Sequence, residues 1–294
     1  MAVQQLAALL HLHQWKGELS VIEFAPGLRL CRTSGSTVER LYLEACSHEG
    51  VDSGEPYAFE AHFEVDGKEG GHAPSFIEHY DVLHRALNVL VMHTCSAVSF
   101  CRILVCTNSF HTYVRTAELF TATQVNEFYG SGALVDAGQE LSLRACWHSV
   151  QRIWEARERS APSLALSYFH FAWRAEYVEH MCINLAVVLE ALFSPRAAGE
   201  TAHQVAVNAA RFLEPVIPDV ERSYTAVKRF YAARSAIVHG SLSGEDKALE
   251  VAGEAFELVG CILRRLFSIP DLLAQFSDER LRRERLLSLS LGRK

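Results

Sequence analysis

The sequence predicts an α+β protein in two parts, a β-containing N-terminal domain over residues 1–140 and a helical bundle over residues 141–294. Three observations carry this. Short apolar or alternating runs punctuated by Gly, Pro, Ser and Asp fill the first 72 residues, whereas apolar residues recur at helical spacing in most segments beyond 141. Charge divides at the same place: residues 1–140 hold 8 Lys and Arg against 17 Asp and Glu, a balance of −9, and residues 141–294 hold 20 against 18, a balance of +2. With 49% hydrophobic and 21% charged residues, the chain has an ordinary globular composition, long enough for one large domain or two ordinary ones.

In order, Leu19–Phe24, Leu28–Arg32, Leu41–Ala45 and Tyr57–Val65 read as strands. Turn-prone Pro26-Gly27, Ser34-Gly35-Ser36, Asp52-Ser53-Gly54 and Asp66-Gly67 separate them. Ser75–Thr94 reads as a helix, since Phe76, Tyr80, Leu83, Leu87, Leu90 and Val91 recur every three or four residues. Ser99–Thr107 and His111–Thr116 are further candidate strands. Gly130-Ser131-Gly132 and Asp136-Ala137-Gly138 suggest a loop into the second domain.

Leu141–Glu158 opens the helical part, and Ser163–Phe193, apolar almost all round, reads as one long central helix ended by Ser194-Pro195. Thr201–Leu213 is a shorter helix stopped by Pro215 and Pro218. Asp219–His239 and Glu245–Phe267 follow, with Pro270 breaking the last. The tail from Ser277 carries five arginines among acidic residues and reads as an exposed, charge-laced helix, with RNA contact the rarer alternative.

Several function classes are disfavoured. A net charge of −7 argues against a broad nucleic-acid-binding surface, although the less acidic C-terminal half can still bind a short stretch of phosphates. No basic leader precedes the apolar N-terminus, and the longest apolar run, 88–106, is interrupted by His93 and Arg102, so neither a secretory signal nor a membrane span is expected. Eight scattered cysteines lack Cys-x-x-Cys spacing and read as reduced core residues of a cytoplasmic protein. There is no His-Glu-x-x-His, phosphate-binding Gly loop or nucleophile elbow; no metal and no cofactor are expected.

Candidate chemistry concentrates in Tyr231-Ala232-Ala233-Arg234-Ser235-Ala236-Ile237-Val238-His239-Gly240. Val220, Tyr224, Val227, Tyr231 and Val238 mark an apolar stripe, and Arg234 occupies its remaining position. A guanidinium there loses hydration and calls for a carboxylate, a partner chain or a phosphate. Gly240 reads as the left-handed cap that ends the helix, which places His239 in the last turn among unpaired carbonyls. Five residues rotate a helix by roughly 140°, so Arg234 and His239 reach one cleft only because the helix stops.

This string resembles the signature of the HEPN superfamily, an Arg and a His separated by four to six residues, and it looks particularly like the Apea-like branch. Leu189-Glu190-Ala191-Leu192-Phe193 resembles the "LE-x-LF" helix preceding the motif helix in that branch. The resemblance covers the C-terminal half. It implies metal-independent cleavage of RNA by 2'-hydroxyl attack at a site completed by a homodimer, in proteins often tied to defence or stress. Arg234 would hold the scissile phosphate and His239 would act as general acid or base. Ser235 stands where members carry an orienting polar residue, Tyr231 flanks the pair, and Glu190 is the favoured compensating charge for Arg234. Many HEPN proteins are non-catalytic, so the rival reading is an interaction module in which Arg234 is a structural ion pair and His239 a cap. A third is partnership with a separate nucleotide-transferring protein.

Overall fold

The computed structural model describes residues 5–11, 14–32, 60–66, 76–95, 100–107, 110–114, 134–175, 177–195, 201–240 and 245–292. The expected strand Leu41–Ala45 and the loop Gly130-Ser131-Gly132 lie outside them. The described chain is mostly helical, and all its strands fall before residue 137. Contacts divide it into two units. The first comprises Met1–Leu90, Val98–Thr121 and Ser131–Trp147, and the second Val91–Ala97, Ala122–Gly130 and His148–Lys294.

In the first unit, β1 (Gln5–His11), β3 (Val21–Ala25), β4 (Leu28–Arg32), β5 (Glu60–Asp66), β6 (Phe100–Thr107) and β7 (Phe110–Val114) form an antiparallel sheet in the order β3-β4-β5-β1-β6-β7. The β3-β4 hairpin turns at Pro26-Gly27, with Gly27 at φ 80°, as its turn residues predict. Ile22, Phe24, Leu28 and Leu30 are buried, and Phe24 meets Trp147 edge to face at 6.3 Å. Strand β1 was not expected. Its run Gln5-Leu6-Ala7-Ala8-Leu9-Leu10-His11 lacks alternation, yet it pairs on both sides, with β5 and β6.

Asp136-Ala137-Gly138 is likewise more than a loop. β8 (Leu134–Asp136) pairs in parallel with β2 (Gln14–Lys16), and Asp136 Oδ1 accepts from the Gly138 N–H at 2.9 Å to start a 3-10 turn. Helix α1 (Phe76–Thr94) falls between β5 and β6 in chain order. Leu83, Ala86, Leu87, Val89, Leu90, Val91 and Met92 are all buried along it.

The helical part contains α2 (Glu140–Ala156), α3 (Ala161–Trp173), α4 (Val178–Phe193), α5 (Thr201–Leu213), α6 (Val220–Val238), α7 (Glu245–Ser268), α8 (Pro270–Ser277) and α9 (Glu279–Ser290). The single helix expected over Ser163–Phe193 is in fact two, α3 and α4, packed on one another. No Gly or Pro marks the break, and an all-round apolar pattern carries no phase to betray it. Ser160 starts α3 with a reciprocal capping box through Ser163, and Pro162 sits in the first turn.

Phenylalanines anchor the second unit's core. Phe169 of α3 stacks on Phe256 of α7 at 5.4 Å, and Phe193, Phe212 and Phe276 of α4, α5 and α8 meet with centroids 5.4 to 6.0 Å apart. The tail is not the exposed helix the charge pattern predicts. Leu286 and Leu289 of α9 are buried, and so is Arg282. Its Nη1 donates to the carbonyls of Ala191, Leu192 and Ser194 at 3.2 to 3.3 Å. Asn208 Nδ2 donates to the Phe193 carbonyl at 3.1 Å. Together they satisfy carbonyls that the end of α4 leaves without intrahelical donors.

Candidate functional site

Helix α6 begins at Asp219, whose carboxylate accepts from the Arg222 N–H at 2.9 Å, and ends at His239, whose N–H reaches the Ser235 carbonyl at 3.1 Å. Gly240 follows at φ 64°, the left-handed residue its position predicts. The helix therefore stops where the candidate pair requires.

Its buried face is offset by about one residue from the expected stripe. Ser223, Ala226, Val227 and Phe230 are buried, whereas Val220, Tyr224 and Tyr231 are half-buried and Val238 is 52% exposed. Phe230 supplies the larger apolar anchor, and Ser223 is small enough to enter the seam. Arg234 accordingly lies half-buried at the seam's edge, while Ser235 and His239 are exposed.

Tyr231 connects the predicted residues. Burial, and then the nearby Glu190 carboxylate of α4, hold its hydroxyl well above the usual phenol range, while the Arg234 guanidinium opposes them. Hydroxyl and carboxylate interact without a well-aligned hydrogen bond. The structure thus brings Glu190, Tyr231 and Arg234 into one electrostatic cluster. It does not place Glu190 in a direct ion pair with Arg234: among the described residues Arg234 makes no ion pair, and its Nε is buried without a hydrogen-bond partner.

The arginine of α6 that does meet carboxylates is Arg229, which sequence reading missed. Its Nη2 and Nη1 lie 3.5 Å and 3.3 Å from Glu250 and Glu254 of α7. The signal was available in principle, since Glu250 and Glu254 stand four apart on one helix face, but only the fold shows which arginine they face.

Glu190 also lines a polar cleft of about 720 Å³ shared by Arg159, Ser163, Ser167, Ser277 and Arg282. A second hollow of about 820 Å³ is lined by His203, Asn208, Arg283 and Leu286. His203 Nδ1 there lies 3.0 Å from the Tyr224 hydroxyl of α6. Neither Arg234 nor His239 lines either hollow. Arg234 is half-buried on the motif helix and His239 is exposed at its end.

Among the described residues no helix is long and apolar enough to cross a membrane. No protein-family model, no curated protein and no solved structure matches the chain.

Proposed function

We propose that the second unit is a HEPN-like endoribonuclease module in which Arg234 and His239 form a phosphate-binding and proton-transferring pair. The observation that carries this reading is the contrast between two arginines of one helix. Arg229 is neutralised by Glu250 and Glu254, whereas half-buried Arg234 has no ion pair among the described residues and stands five residues before an exposed histidine at the helix end. A partly desolvated guanidinium without an ion pair suits an anionic oxygen of a phosphodiester, which can take two of its donors at once.

In this mechanism one His239 imidazole takes the proton of a ribose 2'-hydroxyl, and the 2'-oxygen attacks phosphorus. Arg234 stabilises the charge gathering on the non-bridging oxygens, and the 5'-oxygen leaves with a proton from an acid. The second copy's His239 in a homodimer supplies that acid. Val238, exposed beside His239, and the exposed Phe171 and Tyr177 of the helical unit fit a chain that meets another copy of itself. Glu190 and Tyr231 act by positioning Arg234, and Ser235 is exposed beside it. The reading places the protein in a cytoplasmic defence or stress setting, with the β-containing unit sensing or restraining.

End-group analysis of cleaved RNA tests the chemistry. Products bearing 2',3'-cyclic phosphate and 5'-hydroxyl ends are expected; 5'-phosphate ends would exclude 2'-hydroxyl attack. A second reading rests on the absence of Arg234 and His239 from both hollows: a non-catalytic interaction module whose motif helix end is a docking surface. Full retention of partner binding in a protein that leaves RNA intact would favour it.

A further inference from the structure

Two of the eight cysteines depart from the inert core thiols that scattered spacing suggests. Cys146 and Cys182 are buried, but Cys95 and Cys261 are only partly so, and the Cys95 sulfur lies against Glu257 and Gly260, in the stretch of helix that carries Cys261 166 positions along the sequence. Cys95 directly follows α1 and takes φ 49°, a left-handed conformation uncommon outside glycine. Cys261 lies on α7. Gly260, its neighbour, leaves room for the approach: a Cβ there would come within 2.9 Å of the Cys95 sulfur.

The two thiols have unequal surroundings. Cys95 Sγ lies 3.7 Å from the carbonyl oxygens of both Met92 and Glu257, acceptors that favour a thiol keeping its proton. Arg264, one turn along α7, brings Nη2 to 3.6 Å from Cys261 Sγ, while its Nη1 is anchored on the His93 carbonyl at 3.4 Å. A fixed guanidinium beside one sulfur of a close pair selects that sulfur as the thiolate.

We propose that Cys261 and Cys95 form a reversible oxidation site that reacts with a hydroperoxide, Cys261 attacking and Cys95 resolving. The Cys261 sulfur attacks a peroxide oxygen; an S–O bond forms, the O–O bond breaks, and the released hydroxide or alkoxide takes up a proton. Cys261 is then a sulfenic acid. The Cys95 sulfur displaces its hydroxyl, forming S–S and breaking S–O, and the Cys95 proton leaves with that hydroxyl as water. A dithiol reductant returns two electrons and restores both thiols. The hydrogen bond from Cys95, followed by the Arg264 charge, lowers the Cys261 thiol to about 6 against burial and Glu257. The shared hydrogen bond and burial push Cys95 up, with Glu257 adding to them and Arg264 opposing. The disulfide would tie the end of α1 to α7, independently of Arg234 and His239.

The test uses the full chain. Folded wild-type protein is treated with hydrogen peroxide, alkylated, digested without reductant and examined by mass spectrometry. A Cys95–Cys261 linked peptide that dithiothreitol releases is expected. Cys95→Ser should instead leave a sulfenic acid on Cys261 that dimedone captures, Cys261→Ser should give neither product, and Arg264→Met should slow the reaction several-fold. In wild type the rate of Cys261 alkylation by iodoacetamide should rise with a midpoint near pH 6, well below the ordinary thiol range. Folded wild type yielding neither linked peptide nor sulfenic acid at Cys261, or a dimedone adduct at Cys95 in the Cys261→Ser protein, would overturn the assignment.

Discussion

The hydroxyl of Tyr231 on α6 is buried beside the carboxylate of Glu190 on α4, and the two interact without an aligned hydrogen bond. Burial and that carboxylate keep the phenol neutral above its ordinary value of 10.0. A group whose folded value is raised contributes stability that is full below its unfolded value and is lost as pH rises toward the folded one. Wild type should therefore lose thermal stability above about pH 10 more steeply than Tyr231→Phe. At pH 7 the substitution should cost under ~1 kcal/mol, because no well-formed hydrogen bond is removed. Calorimetry of both proteins from pH 7 to 11 decides it, and parallel curves would contradict the burial of this hydroxyl against Glu190.

Arg282 is 7% exposed and gives its Nη1 to three carbonyls at the end of α4. Arg282→Met leaves those acceptors short of a donor and should destabilise by about 2–4 kcal/mol. Arg280→Met, on the same helix but paired among the described residues only with Glu284, at 2.7 Å on the surface, should cost under ~1 kcal/mol. Denaturant unfolding separates the two, and equal effects would mean that α9 does not cap α4.

Gly240 has φ 64° and open space where a Cβ would stand. Gly240→Ala should then cost only the backbone term, about 1 kcal/mol, and Gly240→Asn less. A loss of several kcal/mol would show steric crowding that the geometry denies.

Arg229 and Arg234 lie on the same helix yet should behave oppositely. Arg229→Ala removes two partly exposed ion pairs and should lower stability by under ~1 kcal/mol, with RNA cleavage kept. Arg234→Ala should remove cleavage and leave stability nearly unchanged. Cleavage assays at matched folded fractions check this; loss on Arg229→Ala with retention on Arg234→Ala would reverse the assignment of the two arginines.

Local chemistry made much of this legible. Pro26-Gly27 and Gly240 act through their own backbone geometry, so the turn and the helix stop could be read directly. Phase and pairing could not. The face of α6 was misjudged by about one residue because Tyr231 and Phe230 are adjacent aromatics and either could lead the seam. The break between α3 and α4 has no breaking residue, and β1, whose run does not alternate, shows itself only through its pairing with β5 and β6. Arg282 looked like surface charge, since only the tertiary fold brings it to carbonyls some 90 positions away. At the site, Glu190 and Arg234 both act on the Tyr231 hydroxyl, while the expected direct Glu190–Arg234 ion pair is not formed among the described residues.

The most direct measurement is cleavage of a mixed RNA substrate in the presence of chelator, comparing wild type with His239→Ala. His239 is exposed, so its loss should leave the melting temperature nearly unchanged. Chelator-resistant cleavage by wild type that falls by two or more orders of magnitude in His239→Ala is the result the account requires. Undiminished cleavage by the variant, or none by well-folded wild-type protein with or without residues 1–140, would contradict the Arg-His nuclease.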